Sequence, residues 1–102
     1  MSKQRLDFNT MYETVAASQT DQVLGNVGKA GNLLEKLIIT VSTAATSTVS
    51  IKDGSGSAIS ITTANTPIGV YSVDIGAASA AGAWKVTTGA GASVIAVGNF
   101  KD

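Results

Sequence analysis

The sequence predicts an all-β single domain, a β-sandwich or barrel preceded by an N-terminal arm. Three observations predict it. At 102 residues the chain has the size of one domain. Roughly seven or eight short runs of alternating or β-branched character recur at spacings of about 8–12 residues, as in sandwiches and barrels. Clusters of Gly, Ser, Asp and Pro separate those runs as turns. The expected division is an arm at 1–19 and the β domain at 20–102.

The arm differs in composition from the rest of the chain. Residues 1–21 hold five of the fourteen charged side chains, together with Phe8, Met11 and Tyr12. Leu6, Met11 and Val15, and likewise Phe8 and Tyr12, fall at loosely helical spacing, but the segment is short and poorly capped. It reads as an arm that pairs with or packs onto something, its conformation open. Leu6, Phe8, Met11 and Tyr12 are its candidate interface residues, because large apolar groups in a charged segment often anchor to a partner. Packing on the arm's own domain is the competing reading.

The first firm strand is Leu33–Val41, with Leu33, Glu35, Leu37, Ile39 and Val41 expected on one face. Its first half is also compatible with a helix, and its β-branched second half favours a strand. From Ser47 to Lys52, Val49 and Ile51 alternate with Thr48, Ser50 and Lys52. Asp53-Gly54-Ser55-Gly56 then turns the chain, and Ile59 and Ile61 resume the alternation, which predicts a β-hairpin. After Pro67, residues 68–75 place Tyr71, Val73 and Ile75 on one face, and Gly76–Gly82 reads as a loop. Trp84, Val86 and Thr88 alternate against Ala83, Lys85 and Thr87. Gly89-Ala90-Gly91 leads into residues 92–100, apolar on both faces and so expected to be a central, doubly covered strand.

Charge and composition narrow the function classes. Seven basic and seven acidic residues give a net charge of zero, without the basic excess that nucleic-acid binding demands. Between Asp53 and Lys101 only Asp74 and Lys85 are charged. Either a Ser/Thr-rich surface keeps this half soluble, or neighbouring subunits cover it. The side chains are small, so each buries little area and oligomer contacts are expected to add stability. No apolar run succeeds the charged N-terminus as in a signal peptide, and none approaches the ~20 residues that span a bilayer. A soluble protein made in a cytoplasm is expected.

The catalytic inventory is sparse. The chain has no His and no Cys, which removes Ser-His-Asp and Cys-His arrangements, thiolate metal sites and disulfides. The carboxylates are scattered singly, and nothing in their spacing makes Asp53 and Asp74 a glycosidase pair. No enzyme activity, metal or cofactor is expected. Gly25-Asn26-Val27-Gly28-Lys29-Ala30-Gly31 superficially resembles a phosphate loop but lacks the Gly-Lys-Ser/Thr ending and the adjoining helix; it reads as a turn or bulge. Asp53-Gly54-Ser55-Gly56-Ser57 has too few carboxylates for a calcium cage and reads as a hairpin turn. Trp84 reads as core in preference to a sugar platform. Lys29 and Lys36, balanced by Glu35, read as a solvated face in preference to a basic patch.

A larger pattern lies in the order and spacing of several segments. They are Thr20-Asp21-Gln22-Val23-Leu24-Gly25, then Gly28-Lys29-Ala30-Gly31 leading to Leu33-Leu34. Ser50-Ile51-Lys52-Asp53-Gly54-Ser55-Gly56-Ser57-Ala58-Ile59 comes next. Gly82-Ala83-Trp84-Lys85-Val86-Thr87-Thr88-Gly89-Ala90 and Ser93-Val94-Ile95-Ala96-Val97-Gly98 complete the series. Over about residues 20–100 the chain resembles small virion proteins of tailed bacteriophages, head decoration (cement) proteins in particular. The segments are turns and strands, so they speak for the family and not for any binding residue.

The resemblance implies a β-sandwich or jelly-roll module, a homotrimer in preference to other closed oligomers, on the capsid exterior. Its partner would be the major capsid protein, clamped against internal DNA pressure, with neither nucleic acid nor membrane bound. Contacts would come from the arm and from loops at one end of the sandwich, adding through multivalency. Two other functions compete: a carbohydrate- or host-binding module of a fibre, using Trp84, Tyr71 or the Gly-rich loops, and a head-tail connector component.

Overall fold

The computed structural model describes residues 10–25 and 29–100. Eight strands occur in order: β1 (Met11–Val15), β2 (Gln22–Val23), β3 (Leu33–Val41), β4 (Val49–Asp53), β5 (Ile59–Thr62), β6 (Gly69–Ala78), β7 (Trp84–Thr88) and β8 (Ala92–Asn99). The one helical element among the described residues is a 3-10 turn, Ala44–Thr46. The chain is thus all-β, as its periodicity predicts.

The strands form two four-stranded antiparallel sheets, ordered β1-β8-β3-β6 and β2-β7-β4-β5. Strands β1 and β8, β2 and β7, β3 and β6, and β4 and β5 are partners. The pairings nest about the β4–β5 turn, each strand before it bonded to its counterpart after it. Inward residues of both sheets meet in one core. Val15, Leu34, Leu37, Ile39, Val41, Val94 and Ala96 come from the first sheet, and Val49, Ile51, Trp84 and Val86 from the second. Leu24 and Phe100 are buried in the same cluster. Trp84 is core, and its Nε1 donates to Asn32 O at 3.1 Å, satisfying the one polar group it buries.

The β4–β5 hairpin forms where the sequence places it, though not in plain alternation. A register shift between Val49 and Ser50 sets Ser50 opposite Ser60 and Val49 opposite Thr62, so Ile61 is an extra residue on β5. At the turn, Gly54 has φ +59°, and a Cβ there would lie 2.6 Å from the Ala81 carbonyl. Glycine is required on both counts.

Three expectations are corrected, and the conformation left open for Met11–Val15 is a paired strand. In β3 the core face carries Leu34, Leu37, Ile39 and Val41, while Leu33 and Glu35 point elsewhere. A bulge between Leu34 and Lys36 inserts Glu35 as an extra residue relative to β8 and reverses the alternation there. Gly76–Ala78 is not loop, because β6 runs on to Ala78 with Gly76 at φ +64°. Strand β8 is central in its sheet but covered on one face only: Ala92, Val94 and Ala96 are buried, while Ile95 on the other side is exposed. The loose helical spacing at Met11, Tyr12 and Val15 is overridden by strand pairing, Met11 with Gly98 through Val15 with Val94. The paired strand β1 lies on the arm's side of the expected division at residue 19.

Between β8 and β6 the sheet fans out. The rows that meet at Ala96 and Gly98 in β8 meet at Leu37 and Leu34 in β3, and at Val73 and Ala77 in β6. The same stretch of sheet thus takes more residues toward the β6 edge, so the sheet must bend there.

Candidate interaction surface

Cross-strand register identifies the outer face of the first sheet. Tyr12 of β1 lies opposite Val97 of β8, which lies opposite Lys36 of β3, itself opposite Asp74 of β6. The next row is Thr14, Ile95, Ile38 and Ser72, and beyond it lie Ser93, Thr40 and Val70. Tyr12 is 71% exposed, Val70 68% and Ile95 38%, and Ile68, just before β6, is 70% exposed. The only charged side chains in these rows are Lys36 and Asp74, in register with each other.

The outer face of the second sheet is chemically different. Lys52 lies opposite Lys85, and Ser50 lies between Thr87 and Ser60. Lys52 Nζ sits 3.2 Å from Asp21 Oδ2. Thr87 Oγ1 donates to Asp21 Oδ1 at 3.2 Å and accepts from Asp21 N at 2.9 Å. These bonds, led by that from Lys52, hold the Asp21 carboxyl below the usual carboxylate range. One sheet presents hydroxyl and ammonium groups to water; the other adds aromatic and branched apolar side chains, Tyr12, Ile95 and Val70, among its Thr and Ser positions.

Of the four candidate interface residues, Leu6 and Phe8 lie outside the described residues. Met11 and Tyr12 are both exposed but point to opposite faces, since Met11 is in the row of Gly98 and Tyr12 in the row of Val97. Tyr12 joins Ile95, Ile38, Val97 and Val70, which sequence patterning does not single out. The signal for three of them is the two-sided apolar character of residues 92–100 and the branched run at 37–39. Neither segment says which face stays open.

The remaining motifs resolve as structure. The Asp53 carboxylate accepts from Ala80 N at 2.9 and 3.0 Å and from Ala81 N at 2.9 Å, pinning the β6–β7 loop to the hairpin. Asp74 lies on the outer row of the other sheet, so the two carboxylates do not face each other. Gly25 and Gly31 carry φ +91° and +93°, as turn residues do. Among the described residues, no group of three or more His, Cys, Asp or Glu could hold a metal ion. A shallow recess of about 280 Å³ is lined by Lys29–Leu33 and Asn99, and the Asn99 Oδ1 is a buried oxygen with no hydrogen-bond partner. No helix among the described residues is long and apolar enough to cross a membrane.

No family model, no curated protein and no solved structure matches the chain.

Proposed function

We propose that the protein is a virion structural module: a capsid decoration, or cement, protein that binds the outer surface of a phage head. In this reading it is a jelly-roll β-sandwich, acts as a closed homo-oligomer with a trimer favoured, and clamps neighbouring major capsid subunits. Its place is the capsid exterior, after synthesis in the host cytoplasm. The nested pairing of the eight strands supports the jelly roll, an architecture recurrent in viral shells. The sequence resemblance over residues 20–100 supports the setting.

The observation that carries the reading is the contrast between the two outer faces. Exposed apolar surface marks interaction sites, and of the two outer faces the first sheet's carries it, at Tyr12, Ile95 and Val70; the exposed Ile59 of the second sheet lies in the row of inward Ile51. A module lying between a protein shell and solvent needs one face of each kind. Clamping then works by repetition: each site is weak, and a closed oligomer engages several capsid subunits at once.

The test is co-sedimentation with purified capsids, then thermal rupture of capsids with and without the protein. Capsids carrying it are expected to rupture at a higher temperature. Equal rupture temperatures would remove the cement role. The fibre-module reading loses its best stacking platform, because Trp84 is 5% exposed and its indole N–H is committed to Asn32 O. A connector would form a ring of higher order, which light-scattering mass distinguishes.

A further inference from the structure

Strand β6 ends one sheet, β5 ends the other, and residues 63–68 join them. The two edge strands are unequal: β5 has four residues and β6 ten. Along this side the core is incompletely closed. The inward residues Leu37, Ile39, Val94 and Ala96 of β3 and β8 are fully enclosed, but Tyr71, Val73, Ile75 and Ala77 of β6 are only partly buried. Ile59 of β5 shares a row with buried Ile51, yet is 49% exposed. The β6 edge also has few of the features that discourage pairing: it contains no proline or lysine, and its one charge is Asp74.

We infer that this open seam receives the segment Arg5–Asn9 of a second copy of the chain, added to β6 as a further strand. The inference rests on reading the protein as a homo-oligomer. The chemistry of the segment matches the seam. Leu6 and Phe8 are two residues apart and fall on one face of an extended chain, with Arg5, Asp7 and Asn9 on the other. Leu6 and Phe8 then close the core over Ile59, Val73 and Ile75, while the charges stay in water. Backbone pairing gives affinity and the alternate side chains give register, as in strand addition generally.

Chain reach decides that the donor is a different copy. Strand β1 lies three positions from β6, so a strand added beyond β6 runs about 19 Å from β1 at roughly 4.8 Å per position. Phe8 is three residues from Met11 and reaches at most about 11 Å, and Leu6, at five residues, about 18 Å. Phe8 falls well short, and because Leu6 and Phe8 enter the seam together, the segment is not the subunit's own.

The chain has no cysteine, so a full-length Phe8→Cys/Ile59→Cys variant contains a single designed thiol pair. Mild oxidation is expected to give chains crosslinked to one another, while Phe8→Cys alone gives far less. Crosslinking confined within one chain, or no more than the single variant gives, overturns the inference. In a second variant, Leu6→Asp/Phe8→Asp, the light-scattering mass is expected to fall to that of the monomer with the strand signal in circular dichroism retained. An unchanged oligomer overturns it too. Capsid pelleting of the wild type separates this result from the decoration reading. A strand-exchanged oligomer that ignores capsids keeps the seam and loses the cement role, and a wild-type monomer that pellets with capsids does the reverse.

Discussion

Two aspartates tie loops to strands, and each makes a different prediction. Asp21 sits at φ +51°, a conformation that Asp and Asn tolerate better than most residues. Its carboxyl is held below the usual range by Lys52, with Thr87 and Lys85 assisting. A lowered folded-state pKa means the ionised form is favoured by folding. That contribution is present above the ordinary carboxylate value of about 3.9 and is lost as pH falls through the lowered folded value. Asp21→Asn keeps the backbone and removes the charge. Its urea midpoint is expected to lie slightly below wild type at neutral pH and to converge with it in acid, once pH falls through the lowered folded-state value; a constant gap across pH would mean that charge is not the cause. Asp53 acts through geometry, with three contacts to two backbone N–H groups of the β6–β7 loop. Asp53→Ala is expected to cost about 1–2 kcal/mol, and faster amide exchange at Ala80 and Ala81 is the specific readout.

Strand identity is legible in the sequence wherever the side-chain period stays at two. Val49 and Ile51, Tyr71, Val73 and Ile75, and Trp84, Val86 and Thr88 all take the faces their alternation predicts. Legibility fails at the bulges. Glu35 is inserted into β3 because the sheet bends between β8 and β6, and a bend is a demand of the whole sheet, which no local pattern announces. Leu33 and Glu35 therefore exchange faces with Leu34 relative to expectation. The interface is legible in part: Tyr12 stands out in the sequence, but its neighbours come from β8, β3 and β6, brought together by pairings up to 85 residues apart (Tyr12 with Val97). The corrected assignment is measurable. Leu37 and Leu34 are fully buried, so Leu37→Ala and Leu34→Ala are each expected to cost about 2–5 kcal/mol. Leu33→Ala should cost clearly less than Leu34→Ala in chemical denaturation. Equal costs would mean that the bulge is absent in solution.

For the whole molecule, polarity is the property to explain: one outer face carries hydroxyl and ammonium groups, while the other sets exposed Tyr12, Ile95 and Val70 among Thr, Ser and one Lys36–Asp74 pair. Core packing does not require this asymmetry, since either face could be polar without altering a single inward residue. Substitutions on the apolar outer face should therefore separate stability from binding. Tyr12→Ser/Ile95→Thr removes two exposed apolar groups that close no cavity, so unfolding stability is expected to change by less than about 1 kcal/mol. Binding is a different matter, because each oligomer repeats the site. A loss of about 1 kcal/mol per site in a trimer sums to about 3 kcal/mol, or roughly a hundredfold in affinity for capsids. The matching control is Ser50→Ala/Ser60→Ala on the second sheet, expected to leave both stability and capsid binding near wild type. Loss of capsid binding from the Ser pair with retention in the Tyr12/Ile95 pair would reverse the orientation on the shell. Retention in both would place the contact on the loops at one end of the sheets, with the apolar face left to contacts between copies of the chain.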